Sequence, residues 1–456
     1  MKSSLVQIKK IWGRVFIYPK KPAGVWHQRR VVVAVLLLLG LFLFPHLKMN
    51  GEQLVLLNFI ERKFVFFGLI FTPQDFHLFA LAMLFGMIFI VCFTVIFGRL
   101  WCGWACPQTI FMEMIFRKIE YWIEGDAQKQ KKLDAQPWDF EKISKKGSKH
   151  LLFLLISFAI ANTFLAYIIG SEQLFQIISE PLQSHWVGFA SIILFTLIFY
   201  LVFAYVREVV CTVICPYGRL QGVLLDNKSL VVAYDVNRGE PRGPKLRVED
   251  PLNVKGDCVD CGLCVQVCPT GIDIREGTQL ECVNCTACID SCNQVMQKLN
   301  RAENLIGFHT QEYIKYKKPF VLSMKAYGYA AILLVVAIVF SSLIYKREEV
   351  ETTVLRASGT LYQIKGDSIS NLYTVQLINK TNRDITFKMA SENKQDSIFF
   401  IQAPSILKRE SELSLTFFLY KKTSQLNSFK SEVKFKVQSE GKLISTAKST
   451  FFAPNN

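Results

Sequence analysis

Five uncharged, apolar runs along the chain are each long enough to cross a lipid bilayer. A transmembrane helix needs about 17 to 25 such residues, and a charge at its centre costs about 3 kcal/mol. We therefore predict five transmembrane helices, in the stretches 31–47, 76–98, 150–171, 181–206 and 326–345. A sixth run, 64–74, is too short to span, and we expect it to lie at the membrane interface or to pack against the other helices.

A different pattern begins after the fifth run, where short segments alternate apolar and polar residues. Such alternation is typical of half-buried strands. The clearest segments are 374–378, 385–389, 397–401, 413–419 and 433–437. About seven strands over this length predict an immunoglobulin-like β-sandwich. The segment 346–456 has no Cys or His and a single Met, so we interpret it as a docking module rather than a metal site.

The basic residues are concentrated beside the apolar runs. Residues 1–30 carry eight Lys or Arg and no acid, 99–149 carries ten, and 207–325 carries 15, whereas 171–186 carries none. By the positive-inside rule, the first three segments lie in the cytoplasm and the last lies outside. The net charge of +16 therefore indicates contact with membrane lipid and no nucleic-acid partner.

Eight cysteines in the predicted cytoplasmic region form two copies of one motif, C-x2-C-x2-C-x3-C. The first copy ends in Pro269, and the second has Asn293 at that position. This spacing is typical of bacterial two-cluster ferredoxins, in which the fourth cysteine of each run binds the other cluster. Paired zinc sites are the alternative, but they use longer gaps between C-x2-C pairs. We predict two [4Fe–4S] clusters, the first held by Cys258, Cys261, Cys264 and Cys292 and the second by Cys282, Cys285, Cys288 and Cys268.

Four more cysteines form two C-x3-C-P motifs, each following an apolar run that ends at the cytoplasmic face. They are Cys102 and Cys106, before Pro107, and Cys211 and Cys215, before Pro216. Because a residue before proline avoids the helical region and proline suits a first turn, we predict a helix break at Cys106 and at Cys215.

After Pro107 we expect an amphipathic helix along the membrane face, with Arg117, Lys118, Glu120 and Glu124 on its polar side. Because the two C-x3-C-P motifs match, the four thiols are candidates for one copper or redox site. Packing cysteines at helix ends are the alternative.

Four other residues are of types that bind metal ions in proteins. Cys92 lies inside the second apolar run, where we expect an inert, buried thiol. The three histidines of the predicted outer face are candidates for a copper- or quinone-related site, or are ordinary interface residues; they are His46, His77 and His185.

These patterns predict a multi-domain membrane protein with five transmembrane α-helices, a cytoplasmic two-[4Fe–4S] ferredoxin domain and a C-terminal immunoglobulin-like β-sandwich on the outer side of the membrane. The predicted segments are a basic cytoplasmic N-terminus (1–30), a four-helix transmembrane region (31–230), the ferredoxin domain (231–325), the fifth helix (326–345) and the outer β domain (346–456).

The motifs together resemble the FixG/RdxA/CcoG family of cbb3-type cytochrome oxidase accessory proteins. The resemblance is carried by GRLWCGWACPQT at 98–109, VCTVICPYGRLQ at 210–221, YDVNRGEPRGP at 234–244 and the cysteine-rich stretch 256–293. The order of the segments also matches. The resemblance implies a multi-pass protein of the bacterial cytoplasmic membrane, with the N-terminus and ferredoxin domain in the cytoplasm and the β domain in the periplasm.

The resemblance also implies an activity, the reduction of Cu(II) to Cu(I) for oxidase assembly. The implied partners are a cytoplasmic electron donor, copper ions and, through the periplasmic domain, oxidase subunits or copper chaperones. Soft thiolates select Cu(I) over harder ions, which is consistent with a copper site at the C-x3-C-P cysteines. Two other functions stay open: a membrane electron conduit of the nitrate or nitrous oxide reductase type, and a non-enzymatic assembly scaffold.

Overall fold

The structure is a computed structural model of the 456-residue chain. It describes residues 8–11, 14–49, 51–71, 75–181, 183, 185–244, 255–357, 361–393, 395–402, 406–425 and 428–454. Two compact units are present, one formed by residues 1–46 with 81–338 and the other by residues 47–80 with 339–456.

The helices of the described residues range from one turn to 30 residues. The α-helices are α1 (Val25–Leu43), α2 (Phe76–Phe97), α3 (Leu100–Trp104), α4 (Pro107–Ile110), α5 (Arg117–Ile123), α6 (Ala127–Ala135), α7 (Phe140–Ile169), α8 (Ser171–Ser179), α9 (Trp186–Leu201), α10 (Pro216–Leu224), α11 (Val236–Gly239), α12 (Leu263–Gln266), α13 (Ala287–Lys298), α14 (Gln311–Tyr316) and α15 (Met324–Tyr345). Short 3₁₀ turns lie at Phe44–His46, Ile274–Glu276 and Thr423–Gln425, and π-helical turns lie at Phe111–Phe116, Val202–Val206 and Val210–Ile214.

The strands fall into small sheets along the first two thirds of the chain and into a β domain at the end. They are β1 (Ile8–Ile11), β2 (Arg14–Ile17), β3 (Lys48–Met49), β4 (Glu52–Gln53), β5 (Val55–Asn58), β6 (Lys63–Phe66), β7 (Leu69–Phe71), β8 (Val231–Tyr234), β9 (Ile306–His309), β10 (Val350–Arg356), β11 (Gln363–Lys365), β12 (Ser368–Asn379), β13 (Ile385–Thr386), β14 (Lys388–Ser391), β15 (Ser397–Phe400), β16 (Ile406–Leu407), β17 (Glu412–Lys422), β18 (Lys430–Ser439) and β19 (Lys442–Phe452).

The five predicted spans all form helices that are long and apolar enough to cross a membrane. They are Val25–His46, Phe76–Phe97, Phe140–Ile169, Trp186–Val206 and Met324–Tyr345. The first and third helices begin well before the uncharged runs, because acidic side chains cap them. Asp290 accepts hydrogen bonds from the backbone N–H groups of Trp26 and His27 at 3.1 and 2.7 Å, and Asp139 accepts one from Lys142 at 2.9 Å.

The sixth apolar run forms strands over its described part, 64–71. Strands β6 and β7 pair in an antiparallel hairpin, and Phe67 and Gly68 take positive φ values of 50° and 79° at its turn. The alternation of Lys63-Phe64-Val65-Phe66 suits a strand, and Val65 is fully buried. The ring of Phe64 stacks on Phe79 of α2, with centroids 4.8 Å apart. The expected packing against a helix is therefore present, but a strand provides it.

The C-terminal domain has the two-sheet architecture that the alternating segments predict. One sheet has the order β10-β12-β17-β15 with β11 beside β12, and another has the order β14-β18-β19. Their buried aromatic residues meet in one core, where the ring of Phe417 lies 5.5 Å from Tyr373 and 5.4 Å from Phe435.

The segments 374–378, 413–419 and 433–437 lie within single strands, and 397–401 extends one residue past β15. The segment 385–389 is divided at Phe387 between β13, which pairs with β16, and β14, which pairs with β18. The sequence pattern missed β10, β11, β16 and β19.

Candidate metal centres

The eight ferredoxin-type cysteines line two separate cavities in the first unit. Cys258, Cys261, Cys264 and Cys292 line one, together with Tyr234. Cys268, Cys282, Cys285 and Cys288 line the other, which Cys264 also reaches. The structure therefore brings together the same two sets of four that the exchange of the fourth cysteine between motifs predicts. We refer to these as the first and second cysteine cavities.

Each motif turns around its cavity with the same left-handed backbone conformation at two matching positions. Asp260 and Gly262 in the first motif have φ values of 53° and 67°, and Asn284 and Thr286, at the matching positions of the second, have 53° and 65°. Residues in this left-handed region turn the chain tightly, so that closely spaced thiols point toward one concave space. The repeat in sequence is thus a repeat in conformation.

The thiols in these cavities need a positive partner to ionise. Burial raises the pKa of both Cys282 and Cys292 to about 12, so at neutral pH they would stay protonated without a cation. Metal binding requires thiolates, and a bound metal supplies the charge that stabilises them. The donor set, eight thiols in two groups of four, fits two iron–sulfur clusters.

Arg275 is a buried residue of this region that sequence reasoning missed. Its guanidinium donates to both carboxylate oxygens of Asp273, at 2.8 and 2.7 Å, and pairs with Asp260 of the first motif. It lines the first cysteine cavity. Burial raises the pKa of the Cys264 thiol, and the Arg275 charge opposes this rise. It therefore both fixes the motif and stabilises a thiolate.

The two C-x3-C-P motifs break their helices where predicted. Cys106 and Cys215 have extended backbones, with ψ values of 124° and 112°. The prolines that follow them start α4 and α10. π-helical turns lie beside both motifs, a feature that is frequent at functional sites and that hydrophobic periodicity does not reveal.

The four thiols of these motifs share one neighbourhood. Burial raises the pKa of the Cys211 thiol to about 12, and the nearby thiols of Cys106, Cys102 and Cys215 contribute to the rise. Cys102 is also buried, which raises the pKa of its thiol as well. We call this group the four-thiol site. Its role in binding copper, a cluster or another group stays a prediction.

A residue that follows each C-x3-C-P motif contacts the first cysteine of the other motif. The Cys102 thiol donates to Gln221 Oε1 at 3.4 Å, and Thr109 Oγ1 lies 4.0 Å from Cys211 Sγ. Gln108 Nε2 donates to the Arg207 carbonyl at 3.4 Å. This reciprocal arrangement closes the four-thiol site from both sides.

Two buried donors at the four-thiol site have no hydrogen-bond partner among the described residues. They are Gln221 Nε2 and Arg99 Nε, on side chains that are 0% and 4% exposed. Both side chains interact with Cys102 in the direction that favours its thiolate. Since an unsatisfied buried donor is costly, these groups suit a site that holds negative charge. Apart from their position in the motifs, no sequence pattern distinguishes these two residues.

A buried ion network fastens the second motif to the helix that follows the first. Arg207 donates through both Nη atoms to the Glu120 carboxylate, each at 2.7 Å, and Glu208 pairs with Arg117. Burial would raise the pKa of Glu120, but the Arg207 charge holds it at about 2. Arg207 itself has a φ of 55°, a strained backbone that these contacts maintain.

This network corrects the expected orientation of the amphipathic helix. Arg117, Glu120 and Glu124 are 1%, 2% and 5% exposed, so most of the side that we predicted to be polar is buried against other segments. Lys118 is exposed as expected. The apolar Trp122 is 80% exposed. The reason is that each buried charge has an opposite partner on another segment, which compensates for its desolvation.

The first C-x3-C motif packs directly against the loop of the second cysteine cavity. A Cβ on Gly103 would lie 2.3 Å from the Val283 carbonyl oxygen, so glycine is required there. Trp104 Nε1 donates to the Asn284 carbonyl at 3.2 Å, and Arg30 Nε donates to the Gly103 carbonyl at 2.7 Å. The loop between Cys282 and Cys285 is thereby placed beside Cys102.

Cys92 and the three histidines of the predicted outer face do not lie together in one site. Cys92 is buried within α2, in the manner expected for an inert thiol. His185 pairs with Glu180 at 2.7 Å, and His46 and His77 lie on a 3₁₀ turn and at the start of α2. Within the described ranges, no three His, Cys, Asp or Glu side chains are close enough together to hold a single metal ion, which applies to these histidines and equally to the thiols of the four-thiol site.

Three family models match separate parts of the chain. Residues 206–311 match the family described as "4Fe-4S dicluster domain", and residues 79–126, which include the first C-x3-C-P motif, match "4Fe-4S binding domain". Residues 340–454 match the "IG-like fold at C-terminal of FixG". The chain therefore carries iron–sulfur domains and a FixG-type β-sandwich.

Three curated relatives extend the similarity along the chain. The nitrogen fixation protein FixG of Rhizobium meliloti is 37% identical over 300 residues, which are 64% of this chain and 57% of FixG. The proteins RdxA and RdxB of Cereibacter sphaeroides are 31% and 32% identical, over 83% and 82% of this chain and 82% of each relative.

With five apolar helices and these domains, the chain is an iron–sulfur electron-transfer protein of the multi-pass membrane type. It belongs to the FixG/RdxA family.

Proposed function

We propose that this protein reduces Cu(II) to Cu(I) at the four-thiol site, with electrons that arrive through its ferredoxin region, and that it does so for the assembly of a cbb3-type cytochrome oxidase. The observation that carries the proposal is the packing of the Gly103 backbone on the Val283 carbonyl. This contact brings the loop between Cys282 and Cys285 against the segment that carries Cys102 and Cys106, which supports electron transfer between the two regions.

The ferredoxin region supplies the electrons. We assign Cys258, Cys261, Cys264 and Cys292 to one [4Fe–4S] cluster and Cys282, Cys285, Cys288 and Cys268 to the other. Such clusters, when bound, supply one-electron transfer. Cys261 is an exposed residue of the first cavity, which suits that end for docking of a cytoplasmic electron donor. The second cavity lies on the side of the four-thiol site.

The four-thiol site has the chemistry to favour Cu(I). Reduction of Cu(II) consumes one electron and leaves the sulfur ligands unchanged, so no thiol needs to be oxidised. Thiolates are soft ligands that bind Cu(I) better than Cu(II). The buried donors of Arg99 and Gln221 would stabilise the thiolate form. Cys102 is buried, whereas the other three thiols of the site are partly exposed, so Cu(II) would reach the site through those three thiols.

The proposed sides of the membrane for the ferredoxin region and for the β domain rest on the distribution of basic residues and on the family. We propose that the N-terminus and the ferredoxin region are cytoplasmic, because their flanking segments are basic. The β domain would then lie in the periplasm. There it could dock oxidase subunits or copper chaperones through its edge strands.

The test uses the full-length protein, purified without oxygen in detergent, reduced chemically, freed of excess reductant, and then mixed with Cu(II) and a Cu(I)-specific chelator. We expect Cys211→Ser to lower the rate of Cu(I) formation at least tenfold, because it removes one thiolate of the site. Cys92→Ser, which changes a buried cysteine of α2, is the matched control and should behave as the wild type. Iron and sulfide contents must be equal, at about eight iron atoms per chain. If Cys211→Ser with full iron reduces Cu(II) at the wild-type rate, the four-thiol site is not where reduction occurs.

A further inference from the structure

A second kind of cavity lies in the first unit, between the segment that precedes α1 and the helix that follows the first C-x3-C-P motif. Its volume is about 380 Å³. Three basic side chains line it, Lys21, Arg30 and Lys118, together with His27. We call it the basic cavity.

The acidic side chain that lines the basic cavity does not neutralise the positive charge of the cavity. Glu113 is the acidic side chain that lines it, and its carboxylate pairs with the buried Arg117 at 3.0 Å. The cations also affect one another, since burial and the nearby Lys21 lower the pKa of Lys118. The cavity therefore has an excess of positive charge that an anion would balance.

Arg30 supplies the most specific part of the basic cavity. It is 3% exposed, and its Nη2 has no hydrogen-bond partner among the described residues. Its Nε is fixed by the Gly103 carbonyl at 2.7 Å. A buried, unpaired N–H group is costly, and a guanidinium is well matched to phosphate oxygens. The exposed side chains of Lys21 and Lys118 complete a funnel with the arginine at its base.

We propose that the basic cavity binds a phosphate group, held by Arg30 at its base and by Lys21 and Lys118 at its mouth. Tyr121 and Trp122 also line it, and Trp122 is 80% exposed. Aromatic residues of this kind lie at membrane interfaces, at the depth of lipid head groups. The phosphate can accordingly come from an anionic phospholipid or from a soluble phosphate compound, which have the same recognition chemistry.

Phosphate binding at the basic cavity would change the electrostatic potential at the second cysteine cavity. Arg30 Nε donates to the Gly103 carbonyl at 2.7 Å, and Gly103 packs against Val283, between Cys282 and Cys285, so the guanidinium lies close to the loop that carries two predicted cluster ligands. A bound phosphate would offset this charge and make the cluster harder to reduce. This consequence, unlike the binding itself, rests on the proposed electron path.

The experiment measures binding and not copper reduction, so it stands apart from the test of the proposed function. Equilibrium dialysis with radiolabelled inorganic phosphate tests the soluble source on the full-length, iron-loaded protein in detergent. Native mass spectrometry with added phosphatidylglycerol, and with phosphatidylcholine for comparison, tests the lipid source. The variants are Lys21→Gln with Lys118→Gln, both at exposed positions, and Lys131→Gln on α6 as the control, whose side chain is exposed outside the cavity.

We expect one saturable site per chain for at least one of the two probes. The double variant should weaken it by about fivefold or more, since two lysine–phosphate contacts are lost, and Lys131→Gln should leave it unchanged. Binding of phosphatidylglycerol but not of inorganic phosphate would identify the lipid source, and the reverse would identify the soluble one. The proposal is overturned if neither probe binds saturably, or if the double variant binds as tightly as the wild type.

Discussion

Replacement of Glu120 by glutamine tests whether the buried ion network holds the two C-x3-C-P motifs together. The side chain keeps its size, but the carboxylate that accepts both Arg207 hydrogen bonds loses its charge. The pKa of Glu120 is about 2 in the folded protein, against an ordinary value of 4.5. At 1.36 kcal/mol per pKa unit, this difference corresponds to about 3 kcal/mol of stabilisation, which agrees with the roughly 3 to 5 kcal/mol lost when a buried pair is broken.

The sign of this contribution fixes the pH at which it should be measured. The pKa is lowered on folding, so the stabilisation is fully present above the unfolded value of 4.5 and is lost as the pH falls toward about 2. At pH 7 the whole effect is present. Glu141→Gln is a matched control, because Glu141 pairs with Lys145 on the exposed side of α7, at i and i+4. A pair of that kind contributes about 0.5 kcal/mol or less.

The assay is equilibrium unfolding of the full-length protein in mixed micelles at pH 7, followed by tryptophan fluorescence. We expect Glu120→Gln to lower the free energy of unfolding by about 3 kcal/mol and Glu141→Gln to change it little. Iron content is measured first, so that loss of clusters is not mistaken for loss of the network. Equal effects of the two substitutions would refute the argument that the buried network fastens the motifs.

Three further changes test separate contacts. Gly103→Ala places a Cβ against the Val283 carbonyl, 2.3 Å away before relaxation; we expect full iron content but slower reoxidation of the reduced clusters by Cu(II), seen by EPR, and a wild-type rate would contradict this. Cys268→Ser should retain about four iron atoms per chain, because it removes a ligand of the second cluster; loss of all iron would oppose the independence of the two sites. Asp290→Ala removes the cap of α1 and should cost about 1 kcal/mol of stability, whereas no change in the unfolding midpoint would show that the cap is dispensable.

The features that sequence predicted well are those set by neighbouring residues. Uncharged runs define the membrane-length helices because each residue contributes to the hydrophobicity of its own segment. The C-x2-C-x2-C-x3-C spacing is similarly local, since the left-handed residues at Asp260 and Gly262 lie between the thiols that they orient. The breaks at Cys106 and Cys215 followed from the prolines beside them.

The features that sequence did not predict depend on residues far apart in the chain. Glu120 and Arg207 are separated by 87 positions, and the periodicity of the helix cannot show that its charged side faces a partner. Gln221 contacts Cys102 from 119 positions away. The start of α1 depends on Asp290, 264 residues after Trp26. In each case the local pattern gives the element, and the long-range partner decides which side of it is buried.

The central claim is that electrons pass from the ferredoxin region to copper through the four-thiol site. The most direct measurement reduces the purified protein anaerobically, removes the reductant, adds Cu(II) with a Cu(I) chelator, and follows the EPR signal of the reduced clusters together with Cu(I) formation. We expect the wild type to lose the cluster signal as it forms an equivalent amount of Cu(I), and a variant with Cys102, Cys106, Cys211 and Cys215 all replaced by serine to keep its clusters reduced. Reoxidation by Cu(II) at the same rate in that variant, with iron content intact, would contradict the claim.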